Sequence, residues 1–540
     1  MYHFNSMILK MKTKIFFSAC MALGALSLSS CGDSFLESQP ASSVPTDGYY
    51  NTAAHIEEAA TAAYAPATWY DYFAGWAPLF LVTDVQGDDL YPGGGSVADQ
   101  AEIHLASQYK QSPTMTFSGA WSASYSGVNR ANHLIEDATN ATSLDEATRQ
   151  QFIDEGVTIR SFYYLILWKF WGNVPYYADN LKYPYISKQF KADEVYEAVV
   201  KDLEGVLDHN SLPMRETNAR AGHATRAFAE MMYADFVMYQ NDKSRYQKAL
   251  DYMEDIINSG KYHLMSNFGS IFEAKNEWCD ESIFEINYYN EGSKRDWGSA
   301  NAPGGTVVPS LIGVDGLNYH GGTQEFATGG WGFCDVSKEV YDAYEPNDQR
   351  RDGGILCMDK YIADEAKKGI TVTYNGRYQN TGLFLKKYLG RPGENANSQA
   401  SDLGWNKNMR VYRYAETLLN ASELALRLGD QAKADKYLNE VRDRAGVEHV
   451  TATLDNLLKE RRLEFVGEGK RYHDLIRFGK AEEVLKAGGG KCLNAQKTGY
   501  TVTAIPQRGD WTLNKKYLPI PQDEIDACTG SEYPLEQNPY

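Results

Sequence analysis

Apolar residues recur at the spacing of an amphipathic helix through the first half of the chain. In residues 146–171, for example, Phe162, Ile166 and Phe170 fall on one face of a helix. Gly172, just beyond them, is a typical helix-ending residue. The same spacing predicts further helices over residues 51–72, 118–140, 194–207 (capped by Asp193), 224–239 and 246–259.

A second helical region starts near residue 412 and consists of two helices joined by a tight turn. Gly429 is expected to end the first helix, Asp430 to cap the second, and Gly446 to end it. Small residues at the expected helix contacts are typical of tetratricopeptide-like pairs, although no strict period of about 34 residues can be aligned.

The stretch between the two helical regions has a different pattern. Residues 261–410 are rich in glycine and aromatic residues and have little periodicity, which predicts irregular loops with short strands at 282–288 and 383–388. We therefore predict a mainly α fold, a tetratricopeptide-like helical-repeat scaffold with a long loop-rich insertion that contains a few short strands. Its single domain, 51–540, divides into 51–264 (N-terminal helical part), 265–410 (insertion) and 411–540 (C-terminal helical part).

The first 50 residues are predicted to be a leader and a tether. Three lysines precede an apolar stretch at 15–28, and Leu28-Ser29-Ser30-Cys31 fits a bacterial lipobox. Residues 1–30 would then be a lipoprotein signal peptide, Cys31 the lipidated residue and 31–50 a flexible tether. The start codon, at Met1 or Met11, stays open.

Composition narrows the class of function. The chain has 540 residues, 43% of them hydrophobic, and a formal net charge of −18, which argues against a nucleic-acid partner bound by a broad basic face. The cysteines include no CxxC pair, so a zinc site is not predicted. We predict no cofactor and no metal. One disulfide, or five free thiols, and a bound calcium ion stay open.

Residues 460–477 form the densest charged motif, with acids, arginines and His473 close together. Helical spacing, such as Asp474 and Arg477 at i,i+3, favours structural pairs over acid–base chemistry. The chain has no HExxH, GxSxG or Walker-type motif. We therefore predict no catalytic residue and no enzyme activity.

Several segments resemble the SusD/RagB family of Bacteroidetes outer-membrane lipoproteins. They appear in the family's order, as RSFYYLILWKFWGNVPYY (160–177), RYAETLLNASELALRLGD (413–430), ERRLEFVGEGKRYHDLIRFGKA (460–481), KYLPIPQDEID (516–526) and the final LEQNPY. The resemblance extends from Cys31 to Tyr540, with a gap over roughly 265–400.

The resemblance implies a location and a function. Proteins of this family are lipid-anchored on the outer face of the outer membrane and cover a SusC-like TonB-dependent transporter. They capture a nutrient, usually a glycan (oligo- or polysaccharide), for import, whereas the RagB branch binds peptides. Glycan is the expected ligand here and peptide the alternative.

The family has no fixed binding motif, so candidate ligand residues rest on their chemistry and loop position. Sugars bind flat aromatic faces through their apolar sides and carboxylates or amides through their hydroxyls. Two loops supply both, 69–95 and 288–333. From them we select Asp84, Tyr91, Asn290, Asp296, Trp297 and Trp331, with Arg295 beside Asp296 as a further hydroxyl partner; Trp69 and Trp76 are expected in the core.

Two alternatives belong to other classes of protein. A surface glycosidase would need paired carboxylates, for which Asp84 and Asp296 are the candidates. A purely structural partner of the transporter would have no ligand site.

Overall fold

The structure is a computed structural model, which describes residues 48–71, 78–216, 220–395, 400–504 and 508–540. The predicted signal peptide, Cys31 and most of the predicted tether lie outside the described residues. Residues 51–540 form one compact unit.

The described residues contain α-helices and short strands. The helices are α1 (Ala53–Tyr64), α2 (Leu79–Gln86), α3 (Ala101–Gln108), α4 (Ser118–Asn140), α5 (Glu146–Trp171), α6 (Ala192–His209), α7 (Arg226–Gln240), α8 (Tyr246–Asn258), α9 (Val308–Ile312), α10 (Lys338–Asp342), α11 (Gln349–Gly354), α12 (Met358–Lys367), α13 (Tyr414–Leu428), α14 (Gln431–Ala445), α15 (Leu454–Phe465), α16 (Arg471–Arg477), α17 (Ala481–Val484) and α18 (Gln522–Cys528). The strands are β1 (Leu90–Gly93), β2 (Val174–Pro175), β3 (Gln189–Phe190), β4 (Ser282–Ile286), β5 (Asn318–His320), β6 (Phe333–Val336), β7 (Ile355–Cys357), β8 (Thr371–Thr373), β9 (Leu383–Leu385), β10 (Met409–Arg413), β11 (Gly489–Leu493) and β12 (Tyr500–Ala504).

The long helices form one continuous stack. From α4 to α8, each helix packs against the next, α13 then packs on α8, and α14 packs on α13. The C-terminal helices thus extend the stack begun by the N-terminal helices, even though the insertion separates them in sequence. This arrangement confirms the predicted tetratricopeptide-like scaffold.

Local signals at the helix ends behave as the sequence predicts, with one exception. The Asp430 side chain accepts a hydrogen bond from the Lys433 N–H at 3.0 Å and caps α14. Gly429 and Gly446 end their helices with φ of 91° and 76°. The exception is α6, which begins one residue before Asp193; there the Glu194 carboxylate accepts from the Lys191 N–H at 2.9 Å.

The insertion is fastened to the scaffold by two-stranded antiparallel sheets. Strand β4 pairs with β10, so the two ends of the insertion lie side by side, and β6 pairs with β1. The predicted strands are present but shorter than expected. In its described residues the insertion also contains the short helices α9 to α12, which the sequence pattern did not predict.

A buried network of ion pairs joins α15 to the insertion and to α14. The Arg413 guanidinium contacts Glu464 at 3.0 Å and Glu468 at 2.7 Å and also pairs with Glu281. Arg444 reaches Glu464 from α14 at 2.5 Å. Burial alone would raise the pKa of Glu464, but its arginine partners hold that pKa below the ordinary value. The acidic residues of the charged motif are therefore structural partners of arginines.

The second half of the charged motif is structural as well. Arg477 pairs with Asp474 at 2.9 Å, as the i,i+3 spacing predicts, and Arg461 holds the other Asp474 oxygen at 2.8 Å. The His473 ring packs edge-on against Phe170, with ring centroids 5.3 Å apart. Burial, followed by nearby Lys169, lowers the pKa of His473 to about 3, so the imidazole stays neutral at physiological pH.

We expect His473 to make the fold acid-sensitive. An unfolded histidine takes up a proton below about pH 6.5, whereas folded His473 does so only near pH 3. Its contribution to stability is therefore complete above pH 6.5 and is lost as the pH falls towards 3. At pH 5 the loss amounts to about 2 kcal/mol. Thermal melts at pH 7.5 and pH 5 should show a smaller acid-induced drop for His473→Phe than for wild type. The exposed His449→Phe is the control, and equal drops in wild type and His473→Phe would contradict the assignment.

Candidate functional site

A buried ion pair anchors the loop formed by residues 289–305. Arg295 is 2% exposed, and its guanidinium makes a bidentate contact with the Asp71 carboxylate, at 2.6 and 3.0 Å. Its Nε and Nη1 atoms also donate to the carbonyls of Ala300 and Gly305. The buried Arg295 side chain therefore holds the loop in place and does not face solvent. This position is contrary to the prediction that Arg295 binds sugar hydroxyl groups.

The exposed side of this loop carries three of the predicted site residues. Asp296 is half-buried, and its Oδ1 accepts a hydrogen bond from the Gly298 N–H at 2.8 Å, a turn that presents Trp297. Trp297 is 43% exposed. Asn290 is half-buried, and its amide donates to the Glu394 carbonyl at 3.2 Å.

Trp331 lies on a second loop, which packs closely against α9. A Cβ on Gly330 would stand 2.0 Å from the backbone of Gly313, so only glycine permits this approach. The Trp331 N–H donates to the Ser310 carbonyl at 2.9 Å. The Trp331 ring is half-buried against a small cluster of apolar side chains, Val307, Ala400 and Leu403.

The two loops bring Trp297 and Trp331 together. Their ring centroids are 6.2 Å apart, and their planes are inclined by 27°, which is a stacked arrangement. We call these two indoles the aromatic platform. Aromatic faces held by anchored loops bind flat apolar surfaces with little loss of conformational entropy, and the apolar side of a sugar ring is one such surface.

Two of the predicted site residues have almost no exposed surface. Tyr91 is 5% exposed, in β1, and its hydroxyl donates to Glu339 at 2.9 Å. Asp84 is 0% exposed and accepts hydrogen bonds from the backbone N–H groups of Gly469 and Arg471, at 3.1 and 3.2 Å. Burial, followed by the nearby Asp89 charge, raises the pKa of Asp84 to about 8. Neither side chain is placed to contact a ligand, and Asp84 is not placed to act with Asp296 as a catalytic pair.

The remaining aromatic residues of the two loops divide between core and surface. Trp69, Tyr288 and Phe333 are buried, and the core position predicted for Trp69 is confirmed. Tyr289 is 60% exposed at the start of the anchored loop. Tyr72 and Trp76 lie outside the described residues.

Sequence reasoning missed a cleft beside the platform. It has a volume of about 440 Å³ and is lined by parts of 309–317, 324–330, 389–395 and 401–405. Gly330, which precedes Trp331, belongs to its wall. We call it the glycine-rich cleft, because three of its four wall segments contribute glycines.

Comparison with known proteins identifies the family. The sequence model described as the SusD family matches residues 280–540. Surface glycan-binding protein A from Bacteroides thetaiotaomicron, solved in complex with laminarihexaose, is 45% identical; the match covers 90% of this chain and 99% of that protein, with a TM-score of 0.81. The chain belongs to the SusD family.

Other similar proteins carry the same family name. A SusD-like protein of Bacteroides ovatus is 24% identical over 97% of this chain and 92% of its own length. A solved laminarin-binding SusD-like protein is 26% identical, covers 90% of this chain and 99% of its own, and has a TM-score of 0.77.

Three further features of the described part of this SusD-family chain concern metal ligands, membrane-spanning helices and disulfides. No three metal-ligating side chains gather there, and none of its helices is long and apolar enough to cross a bilayer. Its five cysteines are free thiols, of which Cys334 and Cys492 are buried. The alternative of one disulfide is therefore not realised among them.

Because Arg295 holds the loop that presents Trp297, we expect Arg295→Ala to weaken ligand binding indirectly. The change leaves Asp71 buried without its cation, so we also expect a loss of stability of about 3–5 kcal/mol. Urea unfolding measures the stability of each variant, and calorimetric titration measures its affinity for the ligand. The double variant Asp71→Asn with Arg295→Met, which removes both charges, should recover part of the stability. Unchanged stability in Arg295→Ala would show that the pair does not anchor the loop.

Proposed function

We propose that this SusD-family chain is a cell-surface lipoprotein that captures glycan and delivers it to a SusC-like TonB-dependent transporter in the outer membrane. The observation that carries the proposal is the aromatic platform, because two stacked indoles on anchored loops form a surface suited to sugar rings. Similar proteins support it: one was solved with laminarihexaose, and another is a laminarin-binding protein.

The proposal describes a binding protein and not an enzyme. A glycosidase needs two carboxylates that flank the scissile bond, about 5–10 Å apart. Of the two candidates, Asp84 is 0% exposed and is held by backbone N–H groups, which leaves Asp296 without that partner at the surface. We therefore expect the chain to hold a polysaccharide without cleaving it.

Native affinity electrophoresis tests the ligand class. The chain should migrate more slowly in gels that contain laminarin than in gels without polysaccharide, and a reducing-end assay on the same mixture should detect no cleavage. A different result would favour peptide capture over glycan capture: no polysaccharide in a panel of neutral and acidic ones retards the chain, and calorimetry detects binding of a peptide mixture. Release of reducing ends would overturn the binding-only function.

The location depends on Cys31. We expect Cys31→Ala to move the protein from the membrane fraction to the soluble fraction, because the lipid attached at this thiol would be its anchor. Immunoblots of fractionated cells, together with palmitate labelling, measure the change, and Ser30→Ala serves as a neighbouring control. A Cys31→Ala protein that stays in the membrane fraction and carries label would contradict the lipobox.

The partner can be tested on the same cells. Purification of the wild-type protein from detergent-solubilised outer membrane should recover a TonB-dependent barrel in a near-equal amount. Recovery without any barrel protein would contradict delivery to a transporter while leaving glycan capture intact.

A further inference from the structure

The glycine-rich cleft lies beside the loop that carries Trp331. Gly329 and Gly330 line it and immediately precede Trp331, and Ser310, which accepts the Trp331 N–H, lines it too. Adjacent Cα atoms are about 3.8 Å apart, so the wall of the cleft ends one residue before the backbone of Trp331. A chain of sugar units stacked on the platform therefore has its neighbouring unit within reach of the cleft.

Backbone hydrogen bonds hold the walls of the cleft together. The Ala327 N–H donates to the Gly390 carbonyl at 2.8 Å, and the Gly332 N–H donates to the Gly313 carbonyl at 2.9 Å. The Trp405 indole donates to the Ser310 hydroxyl at 2.7 Å. Its volume of about 440 Å³ lies within the usual range for small-molecule sites, about 300–1,000 Å³.

Among the described residues, two charged side chains line the cleft, those of Arg391 and Asp402, and of these two Arg391 has an ion-pair partner. The Arg391 guanidinium lies 3.4 Å from Glu325 and 5.0 Å from the centre of the Phe326 ring. Asp402 is half-buried, and among the described residues no cation lies within ion-pair distance of its carboxylate. Burial raises the pKa of Asp402, and a hydrogen bond from Ser310 partly opposes that rise. The Ser310 hydroxyl also donates to the Asp402 backbone carbonyl at 3.1 Å. Asp402 thus offers acceptor positions in the same cleft as Arg391, which already has Glu325 as an ion-pair partner.

These groups favour one class of ligand. An ionised carboxylate accepts strong hydrogen bonds from hydroxyl groups but repels other anions, especially where burial lowers the effective dielectric constant. The whole chain, with a formal net charge of −18, adds to that repulsion.

We infer that the glycine-rich cleft is a second sugar subsite, which binds a neutral hexose unit through hydroxyl groups that donate to Asp402 and which rejects uronate or sulfated units. The inference rests on the proposed glycan capture and adds to it the charge class of the glycan. The aromatic platform can stack on a neutral or an anionic sugar ring, whereas the cleft distinguishes neutral units from anionic ones.

Calorimetry with two matched probes tests the inference. Laminarihexaose is the neutral probe, and partially sulfated laminarihexaose is the anionic one. Wild type should prefer the neutral probe. Asp402→Asn keeps the size of the side chain but removes its charge, so we expect roughly tenfold weaker binding of the neutral probe and a smaller penalty for the sulfated one. Ser401→Trp, which fills the cleft from an exposed position, should also weaken binding of the neutral probe.

Two controls separate the possible failures. Trp297→Ala should weaken both probes alike, and the exposed Asp359→Asn on α12 should change neither; circular dichroism verifies the fold of each variant. If wild type binds neither probe, the proposed capture of this glycan fails, and the inference fails with it. If wild type binds but Asp402→Asn and Ser401→Trp keep its affinity and its preference, capture stands and the cleft subsite is overturned.

Discussion

Simultaneous replacement of Trp297 and Trp331 by alanine is expected to reduce glycan binding below detection. Truncation of one buried anchor at a binding surface costs about 1–3 kcal/mol, or roughly tenfold to a hundredfold in Kd. The two indoles stack on each other, with centroids 6.2 Å apart, so loss of one also removes support for the other. We therefore expect the double variant to lose more than either single variant. Calorimetric titration with laminarihexaose measures the effect.

The matched control for this experiment is an exposed aromatic residue elsewhere. Tyr183 is 87% exposed, and Tyr183→Ala should leave both affinity and fold unchanged. Circular dichroism and thermal melts should show a nearly native fold for the platform variants, because Trp297 is partly exposed. Undiminished affinity of the double variant would show that the platform is not the binding surface.

We expect Arg413→Met to reduce the stability of the fold by as much as Arg295→Ala does. Removal of this guanidinium leaves Glu281, Glu464 and Glu468 buried with fewer cations, and breaking one side of a buried ion-pair network costs about 3–5 kcal/mol. The cost arises from uncompensated buried charge. Urea unfolding followed by circular dichroism should show a lower midpoint.

The control is Arg149→Met, which removes an arginine from a pair whose partner, Glu146, has a side chain that is 80% exposed. Exposed pairs contribute about 0–1 kcal/mol, so the midpoint should change little. Equal effects of the two substitutions would contradict the structural role of the buried network. Such a result would leave the many charged residues around α15 without a structural explanation.

The long helices were predictable because their stability comes from a face with a period of 3.6 residues, which any local window of sequence displays. The predicted bounds 118–140 and 146–171 coincide with α4 and α5. The short helices α9 to α12 were not predicted, because about five to ten residues show too little periodicity and depend on tertiary contacts. The observed strands are shorter than the predicted ones for a similar reason, because each described strand pairs with a single neighbouring strand.

The candidate site was predictable only in part. Trp331 stood out because it lies between Gly330 and Gly332, and Trp297 because it lies between Asp296 and Gly298. The structure places these two rings side by side. Arg295, Tyr91 and Asp84 had suitable chemistry, but long-range partners decide whether they are exposed. Arg295, for example, pairs with Asp71, which is 224 positions away in sequence.

The glycine-rich cleft escaped prediction for the same physical reason. Its walls come from separate segments that meet only in the fold, and the segment that carries Asp402 lies outside both loops selected from the sequence. No local pattern indicates that a carboxylate will be left half-buried without a cation.

A crystal structure of the chain bound to laminarihexaose would show directly whether the aromatic platform binds the sugar. We expect a sugar ring stacked on the Trp297 and Trp331 indoles, with the next unit directed towards the cleft that Asp402 lines. Clear density for the hexasaccharide elsewhere on the molecule, with the two indoles uncovered, would contradict this expectation.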